Sequence, residues 1–180
     1  MSQTAAIAAV TIALKTMLEQ ALAAQGVADR HLADVLVTTL PLDRARTTHH
    51  RCQLNFTLAT VVENGAMRNT MSLGPRPSGS GQGAQAVDLM YLATAYGPED
   101  DEIGAQRVLG AALRAVHEQP VLPAIALDVV FPHTGATGTL AQVRVTQAPL
   151  SREQIVACWL AFHTPYRLSV ALQLTGVQLG

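Results

Sequence analysis

The sequence predicts an α/β (α+β) fold: a mixed, mainly antiparallel sheet of about five to six strands flanked by about three helices. Three observations predict it. An apolar stripe with three- and four-residue steps opens the chain, and later stretches alternate apolar with small or polar residues. The chain then closes on a helix-start signal followed directly by one more alternating stretch. A length of 180 residues suffices for one core, and no composition break marks a second, so residues 1–180 are expected to form a single domain.

The first helix is expected from Thr4 to roughly Gln25, where Ile7, Val10, Leu14, Met17, Leu18 and Ala21 form one stripe and Gly26 supplies the stop. About 22 residues at 1.5 Å each make a rod of roughly 33 Å, long enough to lie across a sheet. Val35-Leu36-Val37 reads as a short strand ending at Leu40-Pro41. Gln53 to Val62 alternates, with Leu54, Phe56, Leu58 and Val62 on one side and Gln53, Asn55, Thr57 and Val61 on the other. Pro75 to Gly83, rich in Gly, Pro and Ser, reads as a loop.

Ala86 to Tyr96 reads as a long strand with Val87, Leu89, Tyr91 and Ala93 on one face. Met90 and Leu92 make its other face apolar as well, which predicts a central strand covered on both sides. Pro98 is expected to open a second helix, with Glu99-Asp100-Asp101-Glu102 complementing the dipole and Leu109, Ala112, Leu113 and Val116 facing the core. Gln119-Pro120 ends it. Ile125 to Val130 and Gln142 to Val145 read as strands around a turn at His133 to Gly138. Ser151-Arg152-Glu153-Gln154 is a capping box. The helix after it runs through Trp159 and Phe162 to Pro165, and Tyr166 to Leu174 alternates as a final strand.

Composition excludes several functions. Charged residues are 14% against a usual ~25%, which favours a surface partly covered by other subunits. The net charge of −1 gives no electrostatic case for nucleic acid or an anionic membrane. Lys15 is the single lysine and every other cation is arginine, the residue better suited to interfaces. Cys52 and Cys158 make no disulfide framework. No basic segment precedes the apolar N-terminus and no apolar run reaches ~18 residues, so the expected compartment is the cytoplasm, with no membrane partner.

No motif carries chemistry. His49, His50 and Cys52 lie together, but no second Cys/His pair stands at zinc spacing. Ser78-Gly79-Ser80-Gly81 is no nucleophile elbow, and the glycine-rich loop lacks the Gly-Lys-Ser/Thr ending of a phosphate cradle. Arg44, Arg46 and Arg51 make the approach to Gln53 locally basic, which fits an acidic partner surface. Trp159 reads as a core anchor.

An ordered set of phrases does point to a family. It comprises Ile7-Ala8-Ala9-Val10-Thr11, Val37-Thr38-Thr39-Leu40-Pro41, Gln53-Leu54-Asn55-Phe56 with Met67-Arg68-Asn69-Thr70, and Leu89 through Gly97. Val108-Leu109-Gly110-Ala111-Ala112, His117 to Leu122, and Trp159 with Thr164 to Val170 continue it. Over nearly its whole length the chain resembles the N-terminal domain of the tail-terminator (cap) proteins of extracellular contractile injection systems, of the virulence-cassette and antifeeding-prophage type. The resemblance implies a phage tail-terminator-like fold assembled as a homohexamer ring. Such a ring caps the inner tube, ends its polymerisation and links it to the last ring of sheath. It implies no enzymatic activity and no cofactor, with self, inner-tube protein and sheath protein as partners. It also implies assembly in the cytoplasm, followed by a place in the released particle.

Under this reading the expected interface residues are Arg44, Arg46, Arg68, Asn69 and Arg167, while Trp159 and Tyr166 anchor the last helix to the last strand. Many members of the family continue beyond this domain. Here Thr175 to Gly180 are expected to add an edge to a neighbouring sheet. Two other readings stand beside it: a different phage-like tail or neck completion protein, and a small metal- or thiol-dependent enzyme using His49, His50 and Cys52.

Overall fold

A computed structural model describes residues 5–29, 31–67, 85–122, 125–130, 139–140 and 143–179. Its centre is a six-stranded sheet in the order β1-β2-β3-β8-β7-β4. The strands are β1 (Leu36–Thr38), β2 (Gln53–Glu63), β3 (Gln85–Tyr96), β4 (Val121–Leu122), β7 (Val143–Gln147) and β8 (Ser169–Leu179). Only β1 and β2 pair in parallel, so the sheet is mixed and mainly antiparallel, as the sequence predicts. A separate pair, β5 (Ile125–Ala126) and β6 (Thr139–Leu140), stands beside it.

One face is covered by α1 (Ala6–Gly26) and α2 (Glu102–Glu118). The α1 stripe buries Ala9, Val10, Leu14, Leu18 and Leu22 against Leu54, Phe56, Leu89, Tyr91, Leu172 and Leu174 of the sheet. By length and composition alone α1 could cross a membrane, but here its stripe is taken up by the core. Inside that core Phe56 and Tyr91 meet edge to face at 5.7 Å, and the Tyr91 hydroxyl is 2.7 Å from that of Thr11. Burial raises the Tyr91 pKa, so the phenol stays neutral and able to hydrogen-bond.

The opposite face carries a smaller cluster of Leu42, Leu92 and Trp159, backed by Ile155, Cys158 and Phe162 of α4 (Arg152–Ala161). Leu92 therefore faces one layer and Tyr91 the other, which makes β3 a central strand covered on both sides. The capping box at Ser151 is formed, with Gln154 N–H donating to the serine hydroxyl and the Gln154 side chain accepting from Ser151 N–H.

Several expectations are corrected. Pro98–Asp100 is a separate 3-10 turn, and α2 starts only at Glu102 because the Asp101 carboxylate caps Ile103 and Gly104 N–H at 3.0 and 3.1 Å. Within Ile125 to Val130 only β5 is extended, and Leu127–Val130 forms a short helical turn, α3. Six apolar residues do not distinguish the two by periodicity. The final strand begins at Ser169 rather than Tyr166 and reaches Leu179. On β2, a bulge at Ala59 opposite Tyr91 and Met90 shifts the pattern. Leu58 (opposite Tyr91) and Val61 (opposite Leu89) thus share the helix-covered face, while Val62, opposite Asp88, turns to the other. The Pro75 to Gly83 loop and the His133 to Gly138 turn lie outside the described residues.

Candidate functional site

The expected interface residues fall into groups that the sheet sorts by position. At the Tyr96 end of β3, two arginines close on one acidic turn. Arg46 arrives from the segment before β2 and Arg167 from the segment before β8, and both bond the Asp100 carboxylate. Arg167 also reaches Glu102 at 3.1 Å, and Arg46 reaches the Gly97 carbonyl at 3.3 Å. Their guanidinium carbons lie 5.7 Å (Arg46) and 5.3 Å (Arg167) from the centre of the Tyr96 ring.

This turn is held in an unfavourable backbone. Glu99 and Asp100 have φ of 48° and 65°, a region that costs non-glycine residues free energy and persists only when surroundings enforce it. The enforcement is visible: Glu99 N–H donates to the His49 carbonyl at 2.7 Å, and His50 Nδ1 is 3.0 Å from the Glu99 carboxylate. Gly97 lets the chain pass, since a Cβ there would sit 1.9 Å from the Asp101 carbonyl oxygen. The hydrogen bond from Arg167, then that from Arg46, holds the Asp100 carboxyl below the usual carboxylate range. Burial raises the Tyr96 phenol, against the pull of the two arginines.

The next layer is polar and buried. Asn55 uses its whole amide: Oδ1 accepts from Thr38 Oγ1 and Leu40 N–H at 2.8 and 2.9 Å, while Nδ2 donates to the Leu40 carbonyl and to Thr57 Oγ1. Gln53 does the same for the following segment, accepting from Thr47 N–H and donating to Thr38 Oγ1 and the Ala45 carbonyl. The polar side of β2 thus serves to pin residues 40–47 onto the sheet. Trp159 is buried, its indole donates to Ser169 Oγ at 3.1 Å, and Tyr166 packs on it edge to face at 6.3 Å. Ser169 donates to the Arg167 carbonyl, leaving the Thr94 hydroxyl, 2.7 Å away, as the donor to Ser169.

Exposure separates the arginines. The Arg46 and Arg167 side chains are 12% and 32% exposed, whereas that of Arg44 is 79% exposed and pairs with its neighbour Asp43. Arg68 and Asn69 lie outside the described residues. His49, His50 and Cys52 do not converge: Cys52 is buried, with its thiol pKa raised chiefly by burial, and His50 points at Glu99. Among the described residues no group of three or more His, Cys, Asp or Glu could hold a metal ion.

At the opposite end of β3 the sheet narrows, among the described residues, to β2, β3 and β8. Asp88, the one charge of β3, accepts from Asn64, from Gln173 and from Gly176 N–H, and so fixes a bulge of β8 at Gly176, whose φ is +87°. Beside it every residue of β2 from Leu58 onward is exposed. Sequence reading missed both the clamp and this bulge. The signals were present as Gly97-Pro98 before an acidic run, and as one aspartate inside an apolar strand paired with one glycine inside another.

A family model described as Pvc16 N-terminal domain matches residues 9–180. No curated protein matches in sequence. Among solved structures, the chain is similar to the sheath/tube terminator of an extracellular contractile injection system, PVC, in its extended state. That likeness has 19% identity and a TM-score of 0.58, and covers 97% of this chain and 57% of the terminator. The anti-feeding prophage cap, a tube-terminating cap, matches with 16% identity and a TM-score of 0.45, over 81% of this chain and 48% of the cap. The chain therefore spans little more than half the length of the terminator it resembles.

Proposed function

Because this chain belongs to the Pvc16 N-terminal domain family, we propose that it is a structural tail terminator of a contractile injection system. In this reading residues 1–180 act as one tail-terminator-like domain. Copies form a closed ring, taken as a homohexamer, that ends growth of the inner tube and links it to the last sheath ring. The observation that carries the reading is the family match over residues 9–180, joined to a shared fold over 97% of the chain.

The physical features support it. A ring needs unlike surfaces on each copy that fit head to tail, and a cap needs a rigid body that does not itself template another tube ring. The two-layered core, with no buried side-chain nitrogen or oxygen left unpartnered among the described residues, gives that rigidity. The proposed role needs neither catalysis nor cofactor. Its partners are further copies, the tube protein and the sheath protein, and neither nucleic acid nor membrane takes part. Assembly is placed in the cytoplasm, before release of the particle.

Of the candidate interface residues, Arg44 presents its guanidinium to solvent and is proposed to meet an acidic partner surface, with Arg68 and Asn69 as further contacts. Arg46 and Arg167 are proposed to contribute from the clamp, by fixing the surface around Asp100 and Glu102. The test is electron microscopy of injection particles from a strain lacking the gene. Tubes and sheaths of uncontrolled length are expected, and particles of normal length overturn the proposal.

A further inference from the structure

We infer that neighbouring copies join through their helix layers: the outer side of α4 in one copy packs on the outer side of α1 in the next. This inference rests on the ring reading above and names the surfaces that build the ring.

The outer side of α1 is not that of an ordinary surface helix. Such a helix sets charged residues opposite its core stripe. In its 21 residues α1 holds only Lys15 and Glu19, and these neutralise each other at 3.0 Å. Its other exposed positions are Ala8, Ile12, Thr16, Gln20, Ala23 and Ala24, all uncharged and mostly small or apolar. A helix apolar on every side is a buried one, so this side calls for cover from another molecule. Beside Ala24 a groove of about 510 Å³ opens between the ends of α1 and α2, with Ala21, Ala28 and Leu32 in its lining. The charges around it are matched as well, Arg107 with Asp29 and Arg114 with Glu118. A face this neutral suits an apolar knob flanked by one charge of each sign.

The same chain carries that knob on the other side of its sheet. Ile155, Cys158 and Trp159 take up the inner side of α4, and Val156, Ala157 and Leu160 form a second apolar stripe turned outward. Leu160 is 68% exposed. Arg152 and Glu153 stand at the start of this stripe, exposed and of opposite charge. Along α4, Glu153 and Leu160 are about 11 Å apart, and along α1 the middle of the Lys15–Glu19 pair is about 11 Å from Ala24. We therefore lay α4 parallel to α1 at a shallow crossing of about 20°, one of the preferred classes. Glu153 then meets Lys15, Arg152 meets Glu19, and Leu160 enters the groove beside Ala24. The two faces lie on opposite sides of the sheet, so the contact is heterologous, the kind that closes rings when the rotation allows.

The test uses wild-type injection particles treated with a water-soluble carbodiimide, which joins an amine to a carboxylate without a spacer. Lys15 is the single lysine, and within one copy it stands across the sheet from Glu153. Expected is a Lys15–Glu153 bond in covalent multimers of the chain, read by mass spectrometry of the digested bands. In parallel, Ala24→Cys with Leu160→Cys in a Cys158→Ser background is treated with a short bis-maleimide. Multimers are expected from the pair and monomer alone from each single variant. Lys15 joined to Glu19, to tube protein or to sheath protein, with no bond to Glu153, overturns the inference while the terminator reading stands. Multimers from either single cysteine show that like faces meet, and overturn it too. So do multimers when Ala8→Cys replaces Ala24→Cys in the pair, since α4 then runs the other way along α1. Absence of the unmodified chain from particles overturns both readings.

Discussion

The two ends of β3 are built on opposite principles although one strand runs through both. At Thr94 to Tyr96 each polar group is used within the chain: Asn55 and Gln53 hold residues 40–47, Ser169 joins Thr94 to Trp159, and Arg46 and Arg167 share Asp100. Toward Gln85 the sheet narrows to three strands among the described residues, and β2 there carries exposed valines. Burying a polar group is tolerable only when it is partnered, so the first end is specified by its hydrogen bonds. The second has one such centre, Asp88, which accepts from Asn64, Gln173 and Gly176 N–H beside the exposed end of β2. The contrast separates an end held by several side-chain centres from an end held chiefly by one, where β2 is exposed.

The largest effect is expected where both sheet faces meet at the first end. Trp159→Ala removes a buried indole and its bond to Ser169, and should cost about 3–5 kcal/mol. Urea unfolding followed by circular dichroism reads this directly. A cost near zero would mean that the α4 layer adds nothing to the body, and the contrast between the ends would fail.

One substitution made at both ends sharpens the comparison. Gly97→Ala drives a Cβ into the Asp101 carbonyl at a conventional φ of −85°, so the cost is a backbone clash of about 3 kcal/mol or more. Among the described residues Gly176→Ala meets the Met67 sulfur at 3.6 Å, an ordinary contact, and its cost is the positive φ, about 1–2 kcal/mol. Thermal unfolding should rank Gly97→Ala below Gly176→Ala. The reverse order would place the tighter packing at the wrong end.

Acid probes the clamp. Asp100 has a folded pKa below its ordinary 3.8, first through Arg167 and then through Arg46. Its stabilising contribution is therefore fully present above 3.8 and is lost as the pH falls through the folded value. Asp100→Asn keeps the shape and tolerates a positive φ, so it should flatten stability against pH below about 4. A residual slope remains from Asp29, whose carboxyl is lowered by the His31 amide and by Arg107, and from Glu153, lowered by its own backbone amide and by the Ser151 side chain. An unchanged profile in the variant would show that the arginines do not hold the turn through its charge.

How much of this was legible in sequence follows the same division. Periodic segments were readable, because burial on one face writes itself into spacing: the α1 stripe, the two-sided apolarity of β3 and the capping box at Ser151 all stand where the sequence puts them. What escaped was set by pairs distant in the chain. Arg46 and Asp100 are 54 residues apart and Asp88 and Gly176 are 88 apart, so no local window contains either device. The bulge at Ala59 was invisible for a related reason: an extra residue leaves composition untouched and only reassigns Val61 and Val62 to new faces. The exposed end of β2 likewise became visible only once burial could be followed along its length.

The smallest effect on folding should come from the exposed end of β2. Val61 lies on an edge with no strand partner among the described residues and is 45% exposed, so Val61→Lys removes little burial and should change stability by less than about 0.5 kcal/mol. The variant should therefore unfold at the wild-type urea midpoint. A lowered midpoint would show that Val61 belongs to the core, and that the distinction between the two ends had been drawn in the wrong place.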